Sequence, residues 1–314
     1  MSKRTLIIYA LFQETPQTDY FLDHGVRYDP DVDYVFVVNI ENYDKGKGRF
    51  VFNMSEKFSN TVEAVGGKVM LRDNTGLDFG GYACVVDRLI KSNSIDKYDY
   101  LLFVNQTSMG PMFPIWYENK THWSNLFTNL INERDKLVGS TISCFGGQNE
   151  LGKFAYGMPY ARPSKEGFTI DDLQEAGYED LLVWSPHVQT WTFAIDKVGL
   201  KVAVDNGIFD YENVILDKSE IITQREVLLS TVLLKNNYNI ASLLNCSQGK
   251  DFRGIESLED ARRQKFNYWG DVDDRGNFGE KVHPYETIFH KSNRVGLGVL
   301  SSEHLSLILK NQHV

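Results

Sequence analysis

Residues 72–82 read RDNTGLDFGGY. They stand between an apolar run at 68–72 and a stretch at 79–91 in which Tyr82, Val85, Val86 and Leu89 recur at helical spacing. A strand that turns into a helix through such a loop is the repeating unit of an α/β layer fold. Asp78 is a candidate N-cap for the helix. In open α/β sheets ligands sit beyond the carboxyl ends of the strands, so the loop is also the first place to look for a site. Gly76, Gly80 and Gly81 permit close backbone approach. Arg72 can pair with phosphate, and Asp73 or Asp78 can accept from sugar or ribose hydroxyls. A plain loop with a helix cap accounts for the same residues. The stretch is neither a P-loop nor a G-x-G-x-x-G dinucleotide loop.

Working outward, residues 5–12 and 33–39 (DYVFVVN) read as strands buried on both faces. Residues 56–65 read as a helix ending at Gly66-Gly67. Beyond the loop, 98–105 (YDYLLFVN) is a strand, 123–133 a helix and 137–143 a strand. Residues 146–167, rich in Gly, Tyr and Pro, read as a long loop, a length more typical of lids and binding loops. Residues 188–195 (VQTWTFAI) alternate as a strand does, 226–236 is a strong helix, and 238–244 a further strand. Residues 265–280 are loop-like, and 302–309 read as a short closing helix. The fold predicted is an α/β layer fold with a largely parallel sheet flanked by helices. Residues 1–245 form the main domain and 246–314 a C-terminal extension packing on it.

The composition bounds the function. Of 314 residues 42 % are hydrophobic and 24 % charged, an ordinary globular balance. The 33 basic and 42 acidic residues leave a formal charge of −9, the wrong sign for a nucleic-acid partner or an anionic membrane surface. No apolar run is long enough to span a bilayer. The N-terminal MSKRTLIIYALFQ has too short an apolar run for a signal peptide and reads as a buried strand. Cys84, Cys144 and Cys246 show neither a disulfide framework nor zinc spacing, which fits a reducing cytoplasmic setting. Aromatics reach 13 %. Trp184, Trp191, Tyr156 and Tyr160 could stack on sugar faces, although core packing explains aromatics as well.

The 98–105 strand runs straight into Asn105, Gln106, Thr107 and Ser108, four polar residues at one sheet edge. Read in order, R-D-N-x-G-x-D-F-G-G-Y at 72–82 and Y-D-Y-L-L-F-V-N-x-[ST]-x-x-G-P at 98–111 form a pattern. Pro186-His187-Val188-Gln189-Thr190 with Trp191-Thr192-Phe193 continues it, as do Glu226-x-x-x-Ser230 and Asn237-Tyr238-Asn239-Ile240. His283-Pro284-Tyr285-Glu286-Thr287-Ile288-Phe289-His290-Lys291, then Arg294, completes it. Over residues 5–295 this set resembles glycosyltransferases of the rhamnan-synthesis F-like group, found in bacterial polysaccharide clusters and some large DNA viruses.

The resemblance implies a GT-A-like, Rossmann-type, mixed and mostly parallel sheet flanked by helices, a nucleotide-sugar donor and a glycan or glycoprotein acceptor; UDP-linked pentoses or hexoses and GDP-linked deoxysugars all stay open, with UDP slightly favoured. Arg72, Asp73, Asn74, Gly76, Asp78 and Gly80 would line the donor pocket together with Asn105, Gln106 and Thr107. Those last three occupy the place of the metal-binding Asp-x-Asp of most GT-A enzymes, yet bring no carboxylate. A hard cation prefers carboxylate oxygens, so a manganese or magnesium cofactor is doubtful and no metal ligand is implied. Lys291 and Arg294, with Arg72, would neutralise the leaving diphosphate instead. Glu226 would be the base of an inverting hexosyl- or pentosyltransferase, with Glu220 and Asp78 as rivals. His187, Gln189 and Trp191 would face the acceptor. The literal Asp-x-Asp at Asp271-Val272-Asp273, with Asp274, reads as a solvated acidic turn. Two other classes stay open: a non-catalytic carbohydrate-binding or degenerate transferase domain, and another nucleotide-dependent enzyme such as a methyltransferase. The second normally has a Gly-rich loop after its first strand, where this chain has Phe12-Gln13-Glu14-Thr15-Pro16.

Overall fold

β1, Thr5–Leu11, is buried along its whole length. It pairs in parallel with β2, Val32–Ile40, on one side and β4, Tyr100–Asn105, on the other. β3, Lys68–Asp73, continues the sheet as the parallel neighbour of β2. Beyond β4 lies β9, Thr192–Asp196, antiparallel both to β4 and to β6, Asp135–Gly139, and β10, Asn239–Ser242, closes that side parallel to β6. The order β10-β6-β9-β4-β1-β2-β3 makes a seven-stranded mixed sheet, mostly parallel and flanked by helices as the sequence predicts. The computed structural model describes residues 3–40, 54–114, 117, 121–145, 184–213, 215–255, 258–265 and 282–291. Arg294, Tyr156, Tyr160, the Asp271–Asp274 turn and the elements expected at 146–167 and 302–309 lie outside the described residues, as does most of 265–280.

Alternate residues of a strand point to opposite faces, and β1 divides accordingly. Leu6, Ile8 and Ala10 join Val35, Val37 and the inner side of α3, Leu77–Lys91. Ile7, Tyr9 and Leu11 join a second layer containing Phe21, Phe58, Trp123, Phe127 and Phe289. Phe21 belongs to α1, Pro16–His24, a helix the sequence reading leaves out although Thr15 caps it and Pro16 opens it. Phe58 belongs to α2, Glu56–Ala64, capped by Ser55.

Several boundaries move for physical reasons. The helix expected at 123–133 shrinks to α4, Asn125–Thr128. The strand expected at 137–143 breaks in two, because Ser140 turns the chain from β6 to β7, Ile142–Phe145. The strand expected at 188–195 breaks as well. β8, Trp184–Val188, pairs with β7 in a separate ribbon, and only β9 returns to the main sheet. Thr141 fixes that crossing: its carbonyl accepts from the Gln189 N–H at 3.2 Å and its hydroxyl donates to Gln189 Oε1 at 2.7 Å. A helix not expected, α5, Lys197–Asp205, starts at Asp196, whose carboxylate accepts from the Gly199 N–H.

The described part of the C-terminal region packs against this body. β11, His290–Lys291, pairs antiparallel with β5, Ser108–Met109, and Phe289 is buried beside Phe21, Trp123 and Phe127. Among the described residues no helix is long and apolar enough to cross a membrane.

Near Trp123, buried His122 bonds Tyr34 Oη through Nε2 and Ser124 Oγ through Nδ1, both at 2.8 Å. Burial, with the nearby Arg27 charge, pushes its pKa down to about 3 from 6.5. The unfolded chain therefore binds a proton that the native state refuses between those values, and stability rises with pH across that window. Urea unfolding from pH 4 to 7 should show up to about 1.4 kcal/mol of this slope per pH unit. His122→Gln should flatten the profile; an unchanged slope would contradict the assignment.

Candidate functional site

The carboxyl ends of β1, β3 and β4 and the start of β9 bring most of the expected residues to one edge. The loop from β3 into α3 turns at Gly76, whose φ of 75° is left-handed, and at Leu77, also left-handed at 52°. Gly76, not Asp78, occupies the N-cap position, and no side chain caps it. Asp78 lies one residue inside the first turn. Its carboxylate accepts from the Phe79 N–H at 3.0 Å and, through the other oxygen, from the Asn105 side-chain amide.

Arg72 is turned inward. Nη1 donates to Asn39 Oδ1 and Nη2 to the Thr75 carbonyl, both at 2.6 Å, while the guanidinium lies 5.8 Å from the ring of Tyr211. Gly80 serves the same packing, since a Cβ there would come within 2.0 Å of the Thr75 oxygen. Asp73 is exposed and Asn74 half-buried at the rim.

Asn105 links three elements. Besides holding Asp78, its Oδ1 accepts from the Thr107 N–H at 2.7 Å and its own N–H donates to the Trp191 carbonyl at 2.8 Å. Gln106 points the other way and is buried: its Oε1 accepts from the Phe12 N–H at 2.6 Å, sealing the end of β1. These side chains do not fit a divalent cation. The position offers one carboxylate, Asp78, already bonded, and two amides whose oxygens are committed to backbone N–H groups. Three or more His, Cys, Asp or Glu side chains do not gather into a metal-holding group among the described residues.

The trio expected to face the acceptor separates. His187 is fully buried on β8, with Nδ1 2.8 Å from the Ser185 carbonyl, and Gln189 is held by Thr141. Both are buried. Trp191 stays at the edge, its ring 5.3 Å from the Lys291 ammonium. Its indole N–H is buried without a hydrogen-bond partner among the described residues. Register places Lys291 opposite Ser108, just past Thr107.

Glu226 does not begin a helix. The helical run starts at α6, Lys218–Ile221, widens into a π-helical turn, Ile222–Val227, and continues as α7, Leu228–Lys235. The macrodipole of a helix start therefore does not act on Glu226. Its Oε1 instead receives the Thr190 N–H at a long 3.4 Å, while Ser230, one turn on, receives the Val188 N–H at 2.9 Å. The Glu-x-x-x-Ser spacing thus grips alternate N–H groups of one strand end. Glu220 is exposed.

Two tyrosines at this edge escaped the sequence reading. Tyr82 is fully buried, its hydroxyl has no partner among the described residues, and burial, then the Asp78 charge, holds the phenol protonated. Its helical spacing marked it only as core. Tyr211 comes from a stretch with no pattern of its own.

The sequence matches no known family description and no curated protein. Among solved structures it is similar to the apo form of the glycosyltransferase GlyE from Streptococcus pneumoniae TIGR4, at 11 % identity over 78 % of this chain and 46 % of that one, with a TM-score of 0.31. It is also similar to the apo structure of the bifunctional glycosyltransferase WbbM, at 13 % identity over 100 % of this chain and 52 % of that one, with a TM-score of 0.30. The chain spans about half the length of either, and superpositions this loose carry no weight for activity.

The Asp78–Asn105 bond is open to a direct test. Asn105→Asp would oppose two carboxylates, one of which must then hold a proton as the pair folds. That variant should lose about 1–3 kcal/mol at pH 7 and less at pH 5, read from urea midpoints. Equal losses at both pH values would separate Asn105 from Asp78.

Proposed function

We propose that the chain is a GT-A-type glycosyltransferase of the rhamnan-synthesis F-like kind. It takes a sugar from a nucleotide-sugar donor, with UDP the first nucleotide to try, and passes it to a hydroxyl of a glycan acceptor without an obligatory metal ion. The observation that carries the reading is the meeting, at one sheet edge, of a bonded Asp78–Asn105 pair with a nearly uncommitted carboxylate, Glu226.

The two carboxylates suit different tasks. Both oxygens of Asp78 accept N–H bonds, which suits a fixed group that positions sugar or ribose hydroxyls. Glu226 receives one long contact, which leaves it able to take a proton. In the reaction proposed, the acceptor hydroxyl gives its proton to Glu226 and its oxygen attacks the anomeric carbon. The bond from that carbon to the diphosphate breaks on the opposite side, and the leaving group departs with the electron pair. Lys291, held over Trp191 next to Thr107, supplies positive charge where negative charge develops.

Glu226→Ala should lower the transfer rate by about 10²–10⁴-fold while leaving nucleotide affinity nearly unchanged. A variant as active as the parent would remove Glu226 from this role. In a thermal-shift series with UDP, GDP, CMP and dTDP, one nucleotide family should stabilise the protein, by about 2.7 kcal/mol at 100 times its dissociation constant. The shift should survive EDTA. A shift that appears only with manganese would overturn metal independence, and no shift with any nucleotide would favour a non-catalytic carbohydrate-binding domain.

A further inference from the structure

We propose that Arg225 is a phosphate-binding residue, carried by the same π-helical turn that carries Glu226 and directed into the narrow cleft at the start of α3. This rests on the glycosyl-transfer reading for the identity of the phosphate and deepens it by naming a second cation, besides Lys291, that meets it.

The cleft is lined by Gly76, Phe79, Gly80, Asp210, Ile221 and Arg225, among others. Its interior has room for no more than about one water-sized atom. That suits a phosphoryl oxygen and excludes a base or a sugar ring.

Arg225 is half-buried, and its donors meet backbone carbonyls: Nη2 that of Asn213 at 3.1 Å, and Nη1 that of Gln224 at 3.4 Å. It forms no ion pair among the described residues. Burial lowers its pKa, with the charge of Asp210 pulling the other way. A guanidinium partly removed from water whose hydrogen bonds go only to carbonyls has unmet capacity for an anion. Asp210, the acid in the cleft, is occupied: its oxygens accept the N–H of Glu212 at 2.9 Å, the N–H of Asn213 at 3.1 Å and the Asn213 amide at 2.7 Å.

The surroundings of Arg225 bear on this. Arg72, the cation the loop sequence offered, spends both Nη groups on Asn39 and Thr75, and its Nε is buried without a hydrogen-bond partner among the described residues. π-Helical turns are also rare and concentrate at functional sites. Here the wide turn lets neighbouring residues serve two places, Glu226 at the Thr190 N–H and Arg225 in the cleft.

The test is calorimetric titration of the full chain with inorganic pyrophosphate, then with UDP, GDP and the free nucleosides. It compares the parent, Arg225→Gln and Arg225→Lys, with melting curves to establish folding. Pyrophosphate should bind the parent, bind Arg225→Gln about tenfold more weakly or worse, and bind Arg225→Lys at an intermediate affinity. Nucleoside affinity should not depend on residue 225. Pyrophosphate that fails to bind the parent, or binds Arg225→Gln equally well, overturns the proposal. So does a failure of both variants to fold, which would make Arg225 structural. Arg225-dependent pyrophosphate binding with no added affinity for either nucleoside diphosphate would keep this site and remove the nucleotide-sugar reading.

Discussion

Everything at the functional edge depends on the double burial of β1. From Leu6 to Leu11 no residue is more than 3 % exposed, and alternate side chains serve opposite layers. A strand so placed cannot slip by one residue without exchanging Tyr9 and Ile8 between layers. With β1 locked, the register of β2 and β4 follows, and so does the level at which Ala10 meets Asn105. The loops after β1, β3 and β4 then emerge at one edge.

That edge is held by hydrogen bonds that reach across the sheet. Gln106 closes the end of β1, Asn105 joins α3 to the carbonyl of Trp191, and Arg72 ties β2 to the turn before α3. Several residues that look like ligand donors in the sequence are in this way committed to the protein itself. Buried polar groups without partners are costly, so most of them were bound to find some. The exceptions are informative: among the described residues the Tyr82 hydroxyl, the Trp191 indole N–H and the Arg72 Nε stay unpartnered beside the same edge.

The C-terminal segment shows how a distant part of the chain enters the site. Phe289 anchors in the second core layer, and the two residues after it form β11 on β5. The anchor is apolar and the delivered residue is charged. Lys291 reaches Trp191 because Phe289 is buried, not through attraction between the two alone, which would be weak at an exposed site.

The sequence by itself determined the layer architecture, because unbroken apolar runs such as 5–12 and 33–39 are stable only in a strand covered on both faces. It also located the 72–82 and 105–107 loops at one sheet edge, which follows from topology alone. It did not determine where side chains point. Glu226 reads as a helix start because an apolar run follows it, yet helical hydrogen bonds begin upstream at Lys218. His187 and Gln189 stand as site residues through the resemblance, and the chain crosses between two sheets there and buries both. Arg225 carries no local signal, because its meaning comes from a cleft that its own segment closes against Gly76, Phe79 and Gly80 at the start of α3. Periodicity reports which residues leave water, a local and additive property. Which of two buried polar groups faces a neighbour and which faces a ligand depends on contacts between distant segments, and only the tertiary structure decides it.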